Sequence, residues 1–312
     1  MDMLFVRNFT AFSGGHLKLA DYLRHTQAGG LARPVLYQTP ASRAVAGNIF
    51  NGLDCLSIEA PAPFASYFLA GEDWAILDRA GVDVGDAPVV NLLQGLAHAD
   101  PAGPLYRFLG RPALRICVSA AVAEAITPFA NGPVHVIENG VEIGEIAYRR
   151  PLEAAPRILI GGLKNPPLAA AVAERLAGLA QIELITAPLP RSTYLARLAA
   201  ASLCVLLPLP TEGFYLPALE AMALGRGVVT TDCGGNRSFC LDGQTCLIAA
   251  YEAEALAAAA KRLIADPSLL AQLARAGQQC AAMHTLGRER RAYIDLLAAY
   301  LAAHRQPASL AT

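Results

Sequence analysis

Short apolar runs alternate with longer stretches of helical period along the whole chain. In the first half, six runs predict strands, namely LFVRNF, PVLYQT, CLSIEA, PVVNLLQ, ICVSA and VHVIENG, and helical patterns cover 15–28, 64–80 and 119–130. In the second half, the strand-like runs are RILIGG, IELIT, LCVLLPL, VVTTD and TCLIA. Helical patterns there cover 167–180, 191–200, 217–225, 251–265 and 268–283. This alternation is typical of βα units around parallel sheets and predicts an α/β fold.

The alternation breaks once, at the charged and proline-bearing stretch YRRPLEAAPR (148–157), and restarts with ILIGG. The chain has 312 residues, more than the roughly 250–300 at which a single hydrophobic core stops growing. We therefore predict two similar α/β domains, residues 1–150 and 151–285, with a cleft between them. The closing run LGRERRAYIDLLAAYLAAHR predicts one more amphipathic helix with no strand after it. We expect this segment, 286–312, to pack back on the N-terminal domain.

Composition narrows the class of protein. Lys and Arg total 25 against 26 Asp and Glu, so no strong field draws the chain to nucleic acid or to an anionic membrane. The longest apolar runs fall far short of the roughly 20 residues that span a bilayer, and we expect no transmembrane segment. The start, MDMLFVRNFTAF, lacks the features of an export signal. Seven cysteines form no C-x-x-C pair, which favours reduced, buried thiols in a cytoplasmic protein.

The stretch TEGFYLPALEAMALGRG, 211–227, holds the candidate chemistry. Pro217 suits the first turn of a helix, and Gly225 and Gly227 mark its end. This helix follows the predicted strand LCVLLPL, and ligands of open parallel sheets bind at the carboxyl ends of the strands. Free N–H groups and the helix dipole at that place favour an anion.

Two carboxylates, Glu212 and Glu220, flank this predicted anion site. Carboxylates repel phosphate, but they accept hydrogen bonds from vicinal hydroxyl groups. Glu220 could hold a ribose and Glu212 a second sugar, one on each side of a diphosphate, which describes a nucleotide sugar. Taken by itself, the position of Glu220 favours an ordinary first-turn glutamate that complements the helix dipole.

These residues resemble a known family. The run EGFYLPALEAMALGRGVVTTDCGGNRSFCLDGQTCLI is similar to the donor-site signature of the retaining nucleotide-sugar glycosyltransferases of family 4. ICVSAAVAEAI followed by VHVIENGVE resembles the end of that family's N-terminal domain, and FSGGHLKLADYL resembles its first glycine loop. The resemblance implies the GT-B fold, two facing Rossmann-like domains. It also implies an enzyme that moves a sugar, with retention, from a nucleoside-diphosphate sugar to a saccharide, lipid-linked glycan or natural-product acceptor.

The resemblance also implies roles for individual residues. Glu220 would bind the donor ribose, and Glu212 would contact the hydroxyls of the transferred sugar. His98, in a loop after a predicted strand, is the second catalytic candidate, although a loop histidine without a role fits as well. The remaining donor-binding candidates are Lys164, Gly14, Gly15, Phe214, Tyr215, Leu216 and Asn139. Gly15 could instead serve only helix entry. We expect no cofactor, and no metal because the chain has no Asp-x-Asp motif.

The chain departs from the family pattern in three places. The family usually has an Arg and a Lys after the first strand of the second domain, whereas this chain has Gly162 and Lys164 in ILIGGLKNPP. Lys164 could act alone with helix dipoles, Arg191 or Arg237 could compensate, or the site could be weakened. Tyr215 replaces a glycine and would alter the sugar pocket. Ser238 stands where a glutamate is common.

Two other functions fit the sequence. A degenerate GT-B protein could keep the fold and act only as a binding partner, and the missing arginine favours this alternative. A nucleotide-sugar epimerase or a phosphorylase would use the same fold, but an epimerase needs a set of acid and base side chains that the sequence does not show.

Overall fold

The computed structural model describes residues 1–143 and 157–305. The chain divides into two compact units, which we call the first unit, Met1–Asn139 with Leu286–Thr312, and the second unit, Gly140–Thr285. The predicted domain boundary at 150 lies outside the described residues, as does the predicted linker apart from its last residue, Arg157. The boundary between the two compact units falls earlier, after Asn139.

The first unit is built on a seven-stranded parallel sheet in the order β3-β2-β1-β4-β5-β6-β7. Its strands are β1 (Asp2–Arg7), β2 (Arg33–Gln38), β3 (Leu56–Ile58), β4 (Tyr67–Ala70), β5 (Val89–Leu93), β6 (Leu114–Cys117) and β7 (Val134–Val136). Its helices are α1 (Gly14–Gly29), α2 (Pro40–Arg43), α3 (Asp73–Arg79), α4 (Ala120–Ile126) and, from the end of the chain, α10 (Leu286–Arg305). Short 3-10 turns cover Leu96–Ala99, Tyr106–Phe108 and Thr127–Phe129.

The second unit has a five-stranded parallel sheet in the order β12-β11-β10-β8-β9. Its strands are β8 (Arg157–Gly161), β9 (Gln181–Ile185), β10 (Leu203–Leu206), β11 (Gly227–Thr230) and β12 (Leu247–Ile248). Its helices are α5 (Pro166–Leu176), α6 (Arg191–Ala200), α7 (Leu216–Ala223), α8 (Ala253–Ala265) and α9 (Pro267–Ala281). The predicted α/β fold with two parallel sheets is confirmed.

Apolar strands and alanine-rich helices form the core of the second unit. Ile158 and Ile160 of β8 pack with Val205 of β10 and with helices α5, α8 and α9 in one buried cluster. Central strands of a parallel sheet are covered on both faces, which explains why ILIGG and LCVLL read as continuous apolar runs without alternation. Small alanine side chains let the helices lie close to the sheet.

One predicted element was wrong. The helix predicted for 64–80 is instead strand β4, a glycine turn and the short helix α3. Gly71 has φ +54°, a left-handed conformation that ends the strand and that few other residues adopt. The run YFLA is buried throughout, and a short apolar run of this kind fits a buried strand or a buried helix equally well.

Helix α10 packs against helix α1 within the first unit. Lys18 Nζ contacts Glu289 Oε2 at 2.6 Å and Asp21 Oδ2 at 2.9 Å, and all three side chains are buried. The hydroxyl groups of Thr26 and Tyr293 are 2.8 Å apart. A buried ionic cluster therefore fixes the helix at this position. Within the described residues, no helix combines the length and the apolar character needed to cross a membrane.

Each sheet has one point where the strand order reverses. In the second unit, β8 continues to β9 on one side, and the chain then returns to place β10 on the other side of β8. The connections that leave the carboxyl ends of β8 and β10 consequently run in opposite directions along the sheet. Ligands of open α/β sheets bind at such a point.

Candidate functional site

Two charged side chains meet at the reversal point of the second sheet. Lys164 lies in the loop after β8, and Glu212 lies in the loop after β10. The Nζ of Lys164 is 3.3 Å from Oε1 of Glu212, and both side chains are partly exposed. The structure therefore brings together two of the residues that the sequence proposed, one cation and one carboxylate, where a ligand can reach both.

Close backbone packing holds the Glu212 loop in place. A Cβ atom on Gly235 would lie 2.2 Å from the carbonyl carbon and oxygen of Gly213, so only glycine allows this approach. The neighbouring loop is fixed by the buried Asn236, whose amide donates to the carbonyl of Thr231 at 2.8 Å. The carboxylate of Glu212 is thus carried on a backbone with little freedom to move.

Helix α7 begins directly after this loop, at Leu216, with Pro217 in its first turn. The Leu216 amide donates to the carbonyl of Phe214 at 3.2 Å. Within the described residues, the amides of Phe214 and Tyr215 donate to no protein group. Of the three donor-binding candidates in this segment, two therefore have backbone amides that are available to a ligand. The side chains of Phe214, Tyr215 and Leu216 are buried, and the Phe214 ring packs on Phe239 at 5.1 Å.

Glu220 lies one turn into α7 and is 2% exposed. Its Oε1 accepts a hydrogen bond of 2.5 Å from a terminal nitrogen of Arg191, the first residue of α6. Tyr194, one turn later on α6, is close enough that the charge of Glu220 adds to burial in raising the pKa of its phenol. Burial is the largest cause of the raised pKa of Tyr215 as well, with smaller contributions from Tyr194 and Glu212.

Close packing at Gly162 leaves no room for the arginine that the family resemblance implies at this position. A Cβ on Gly162 would lie 2.0 Å from the Cβ of Ala169 in α5. Helix α5 therefore packs so closely on the end of β8 that no side chain fits at this position. Of the two arginines that could compensate, Arg191 is paired with Glu220, and Arg237 makes two hydrogen bonds to Asp232.

The glycine loop of the first unit lies at the start of α1, where Ser13 accepts a hydrogen bond from the backbone amide of His16. A Cβ on Gly15 would lie 2.8 Å from Oε1 of Gln94, and Nε2 of Gln94 donates to the Gly15 carbonyl at 3.1 Å. Gly15 therefore allows the side chain of Gln94 to approach the helix start. Gly14 is exposed and leaves the backbone there accessible.

His98 and Asn139 also belong to the first unit. His98 lies in the 3-10 turn after β5 and is 6% exposed. Burial, and next the charge of Arg115, lower the pKa of His98 to about 4, so its imidazole is neutral at physiological pH. Asn139 is buried, and its Oδ1 has no hydrogen-bond partner within the described residues. The catalytic role of His98 and the donor-binding role of Asn139 both stay predictions.

A separate pocket of about 800 Å³ lies at the opposite, amino-terminal edge of the first sheet. Its walls come from helix α3, the loop before β5, the loop before β6 and the end of α10, and they include Trp74, Arg111 and Tyr300. None of the candidate site residues lines it. In the ranges 1–143 and 157–305, no group of three or more His, Cys, Asp or Glu side chains is placed to hold a metal ion.

The sequence did not predict that Arg191 and Glu220 form an ion pair. Arg191 was considered only as a substitute cation, because nothing in a sequence indicates that residues 29 positions apart will meet. The one available signal was the position of Arg191 at a predicted helix start after a strand, which places it at the carboxyl edge of the sheet.

Comparisons with known proteins agree with this arrangement. Residues 143–266 match the family model described as glycosyl transferases group 1. No curated protein sequence matches the chain.

Among solved structures, Anabaena HepE in complex with UDP-glucose is similar with a TM-score of 0.74 and 15% identity, over 96% of this chain and 100% of that one. Sucrose-phosphate synthase from Thermosynechococcus elongatus gives a TM-score of 0.73 at 15% identity, over 97% and 99% of the two chains. The UDP-forming α,α-trehalose-phosphate synthase from Burkholderia vietnamiensis gives 0.58 at 16% identity, over 96% and 80%. Residues 143–266 thus match a group 1 glycosyl transferase domain, and the chain has the α/β fold with two parallel sheets of the GT-B glycosyltransferases.

Proposed function

We propose that the protein is a retaining glycosyltransferase of family 4 that moves a sugar from a nucleoside-diphosphate sugar to a saccharide, lipid-linked glycan or natural-product acceptor. The observation that carries this proposal is the Lys164–Glu212 pair at the reversal point of the second sheet. It lies beside two available amides, within the residues that match the glycosyl transferase model. The complexes of HepE with UDP-glucose are consistent with a nucleotide-sugar donor.

Each group in this site suits one part of such a donor. Lys164, the amides of Phe214 and Tyr215 and the dipole at the start of α7 suit the negative charge of a diphosphate. The carboxylates of Glu212 and Glu220 accept hydrogen bonds and suit the hydroxyls of the transferred sugar and of the ribose. A ligand that carried only phosphate would be repelled by both carboxylates and would use neither as a hydrogen-bond acceptor.

In the proposed reaction, one bond to the anomeric carbon breaks and another forms. The bond from that carbon to the diphosphate oxygen breaks, and its electrons stay on the departing diphosphate. The acceptor hydroxyl oxygen bonds to the same carbon from the same face, and its proton goes to the departing phosphate. Lys164 and the two amides stabilise the charge that develops, and a well-placed donor of this kind contributes roughly 3 kcal/mol. The proposed reaction uses no metal ion, because these groups supply the positive charge.

A thermal-shift measurement tests the donor site first. The purified protein is heated with UDP-, GDP-, ADP- and dTDP-sugars, as wild type and as the variants Glu220→Gln and Glu183→Gln. Glu183 is the matched control, because it pairs with Arg197 on the exposed surface of the same unit. We expect one nucleotide class to stabilise the wild type and the control but much less the Glu220 variant. A ligand at one hundred times its Kd adds about 2.7 kcal/mol. The absence of any shift at millimolar concentration would argue against the proposal.

The reaction itself is followed by NMR of the products with a panel of saccharide acceptors. Retention predicts that the new glycosidic bond has the anomeric configuration of the donor. Near-full turnover by Glu212→Gln would contradict the role of that carboxylate. The missing arginine at 162 favours the second candidate, a binding protein that has lost activity, and donor binding without any turnover would support it. A new nucleotide sugar formed without acceptor would indicate an epimerase.

A further inference from the structure

The pocket at the amino-terminal edge of the first sheet has the size of a ligand site. Its volume of about 800 Å³ lies within the roughly 300–1,000 Å³ of pockets that hold small molecules. All of its walls belong to the first unit. Gly15 and His98 lie at the opposite, carboxyl edge of the same sheet. The pocket is therefore distinct from the site described above.

Trp74 of helix α3 lines the pocket and is fully buried. Its ring stacks on that of Phe108, with the centroids 6.4 Å apart, and the guanidinium carbon of Arg111 lies 5.0 Å from the Trp74 ring centroid. Its Nε1 is buried and has no hydrogen-bond partner within residues 1–143 and 157–305. A buried indole N–H usually has an acceptor, and leaving it without one is costly. The wall of the pocket thus contains a donor that the described chain does not satisfy.

Arg111 adds further donors to the same wall. Its two terminal nitrogens contact the two carboxylate oxygens of Asp78 at 2.8 and 2.9 Å, which holds the planar group in place. A guanidinium group has five N–H donors, and Arg111 makes no other side-chain hydrogen bond within the described residues. The side chain is 38% exposed, so a ligand in the pocket can reach the remaining donors.

The loop before β5 supplies acceptors. Asp83 and Asp86 both line the pocket and are exposed. Oδ1 of Asp83 accepts a hydrogen bond of 3.0 Å from the amide of Gly85, which fixes the loop, whereas Asp86 makes no hydrogen bond within the described part of the chain. Tyr300 of α10 contributes an aromatic ring, held by a hydrogen bond of 3.2 Å from its hydroxyl to a backbone carbonyl. The pocket therefore combines donors, acceptors and an aromatic surface.

This combination favours a neutral ligand that carries many hydroxyl groups. An anion would be repelled by the carboxylates of Asp83 and Asp86. A cation would lie beside the Arg111 guanidinium and would leave the N–H donors of Arg111 and Trp74 unused. A hydroxyl group donates and accepts at once, so it satisfies both kinds of group in the wall.

We propose that this pocket binds a saccharide. Oxygen atoms of the saccharide accept hydrogen bonds from the Trp74 indole and from the Arg111 guanidinium, and its hydroxyl groups donate to Asp83 and Asp86. The apolar C–H face of a sugar ring packs on Tyr300. This binding requires neither a nucleotide nor any residue of the donor site, so it stands apart from the proposed function.

Tryptophan fluorescence tests this directly, because Trp74 is the only tryptophan in the chain. The full chain is titrated with neutral saccharides, namely glucose, galactose, mannose, N-acetylglucosamine, maltotriose and cellotriose, and with spermidine and citrate as a cation and an anion. Calorimetry of the same titrations detects any binding that leaves the emission unchanged. No nucleotide is present, so a negative result would count against the saccharide site and not against the proposed function.

Two variants of the pocket are compared with two matched controls. Arg111→Lys loses the planar fork, and its control is Arg33→Lys, at an exposed arginine that pairs with Asp2 through two hydrogen bonds. Asp86→Ala loses an acceptor, and its control is Asp54→Ala, at an exposed carboxylate of the same unit. Asp86→Ala decides the matter if Arg111→Lys does not fold, because Asp86 makes no hydrogen bond within the described residues.

We expect at least one neutral saccharide to change the Trp74 emission in the wild type and in both controls. Arg111→Lys and Asp86→Ala should each weaken this binding by about tenfold or more. No change with any saccharide at millimolar concentration would overturn the inference, and so would saccharide binding that both pocket variants retain. Tighter binding of spermidine or of citrate than of every saccharide, lost in the pocket variants, would assign the pocket to another class of ligand and would overturn it as well.

Discussion

Replacing Gly162 with alanine should push helix α5 away from strand β8. The new Cβ would lie 2.0 Å from the Cβ of Ala169, whereas carbon atoms in favourable contact are about 3.5–4.0 Å apart. A methyl group bonded directly to the backbone cannot rotate away, so the helix itself has to shift by roughly 1.5 Å to restore contact distance. The effect is one of space alone, because Gly162 is not among the glycines with positive φ.

The expected cost follows from packing. Overfilling a well-packed core costs about 1–3 kcal/mol, which we expect for Gly162→Ala. The reciprocal change, Ala169→Gly, costs about 1 kcal/mol for glycine in a helix and about 0.8 kcal/mol for the lost methyl group. In the double variant, the methyl group at 162 takes the space that the methyl group at 169 vacates. Its cost should fall to about 1 kcal/mol, far below the sum of the single changes.

Urea unfolding followed by circular dichroism measures all three variants. Gly52→Ala is the control, because no atom lies within 4 Å of its Cβ position, and its effect should stay within about 0.5 kcal/mol. Strictly additive costs for Gly162→Ala and Ala169→Gly would refute the reasoning. The side chain of Gly162→Arg has its Cβ atom at the same crowded position. We therefore expect this variant to destabilise the protein without improving the binding of UDP.

Two further predictions concern the first unit. Glu289→Ala removes the carboxylate that lies 2.6 Å from the buried Lys18 ammonium group. In urea titrations, it should lower the free energy of unfolding by about 3 kcal/mol. A loss under about 1 kcal/mol would show that other groups balance the charge of Lys18. Burial lowers the pKa of His98 to about 4, so as pH falls from about 6.5 to about 4 the unfolded chain takes up a proton that the folded chain does not. His98 should therefore lower the free energy of unfolding by up to roughly 1.4 kcal/mol for each pH unit in this range. Urea unfolding at pH 7 and at pH 5 measures this contribution. We expect His98→Gln to remove it, whereas the control His135→Gln, at an exposed histidine, should retain it.

The sequence predicted most of the fold because each βα unit carries local signals. The helix predicted for 191–200 has those bounds in the structure, and the strands RILIGG and IELIT begin and end within two residues of prediction. Strand β4 was missed because its signal is not local. YFLA is followed after Gly71 and Glu72 by an apolar helix, and only the pairing of β4 with β1 and β5 separates the two elements.

The candidate site divides in the same way. Glu212 and Lys164 could be proposed from motif and loop position, because the carboxyl ends of parallel strands always share one edge. The exclusion of a side chain at 162 depends on where Ala169 lies, and the partner of Glu220 depends on how α6 and α7 pack. These are distances between elements, and neither composition nor periodicity contains them.

The two ion pairs of the second unit give the site a further property. Lys164 and Arg191 each contact a carboxylate in the described structure, so neither cation is held ready for phosphate alone. Hydroxyl groups that satisfy Glu212 would release Lys164 for a diphosphate, since both compete for the same charge. If the proposed function holds, binding of the sugar and binding of the diphosphate would be linked through one salt bridge, that between Lys164 and Glu212. On the proposed function, such a site would favour a ligand that carries both groups over one that carries phosphate only, and it would therefore bind a nucleotide sugar more tightly than the nucleotide that the reaction releases.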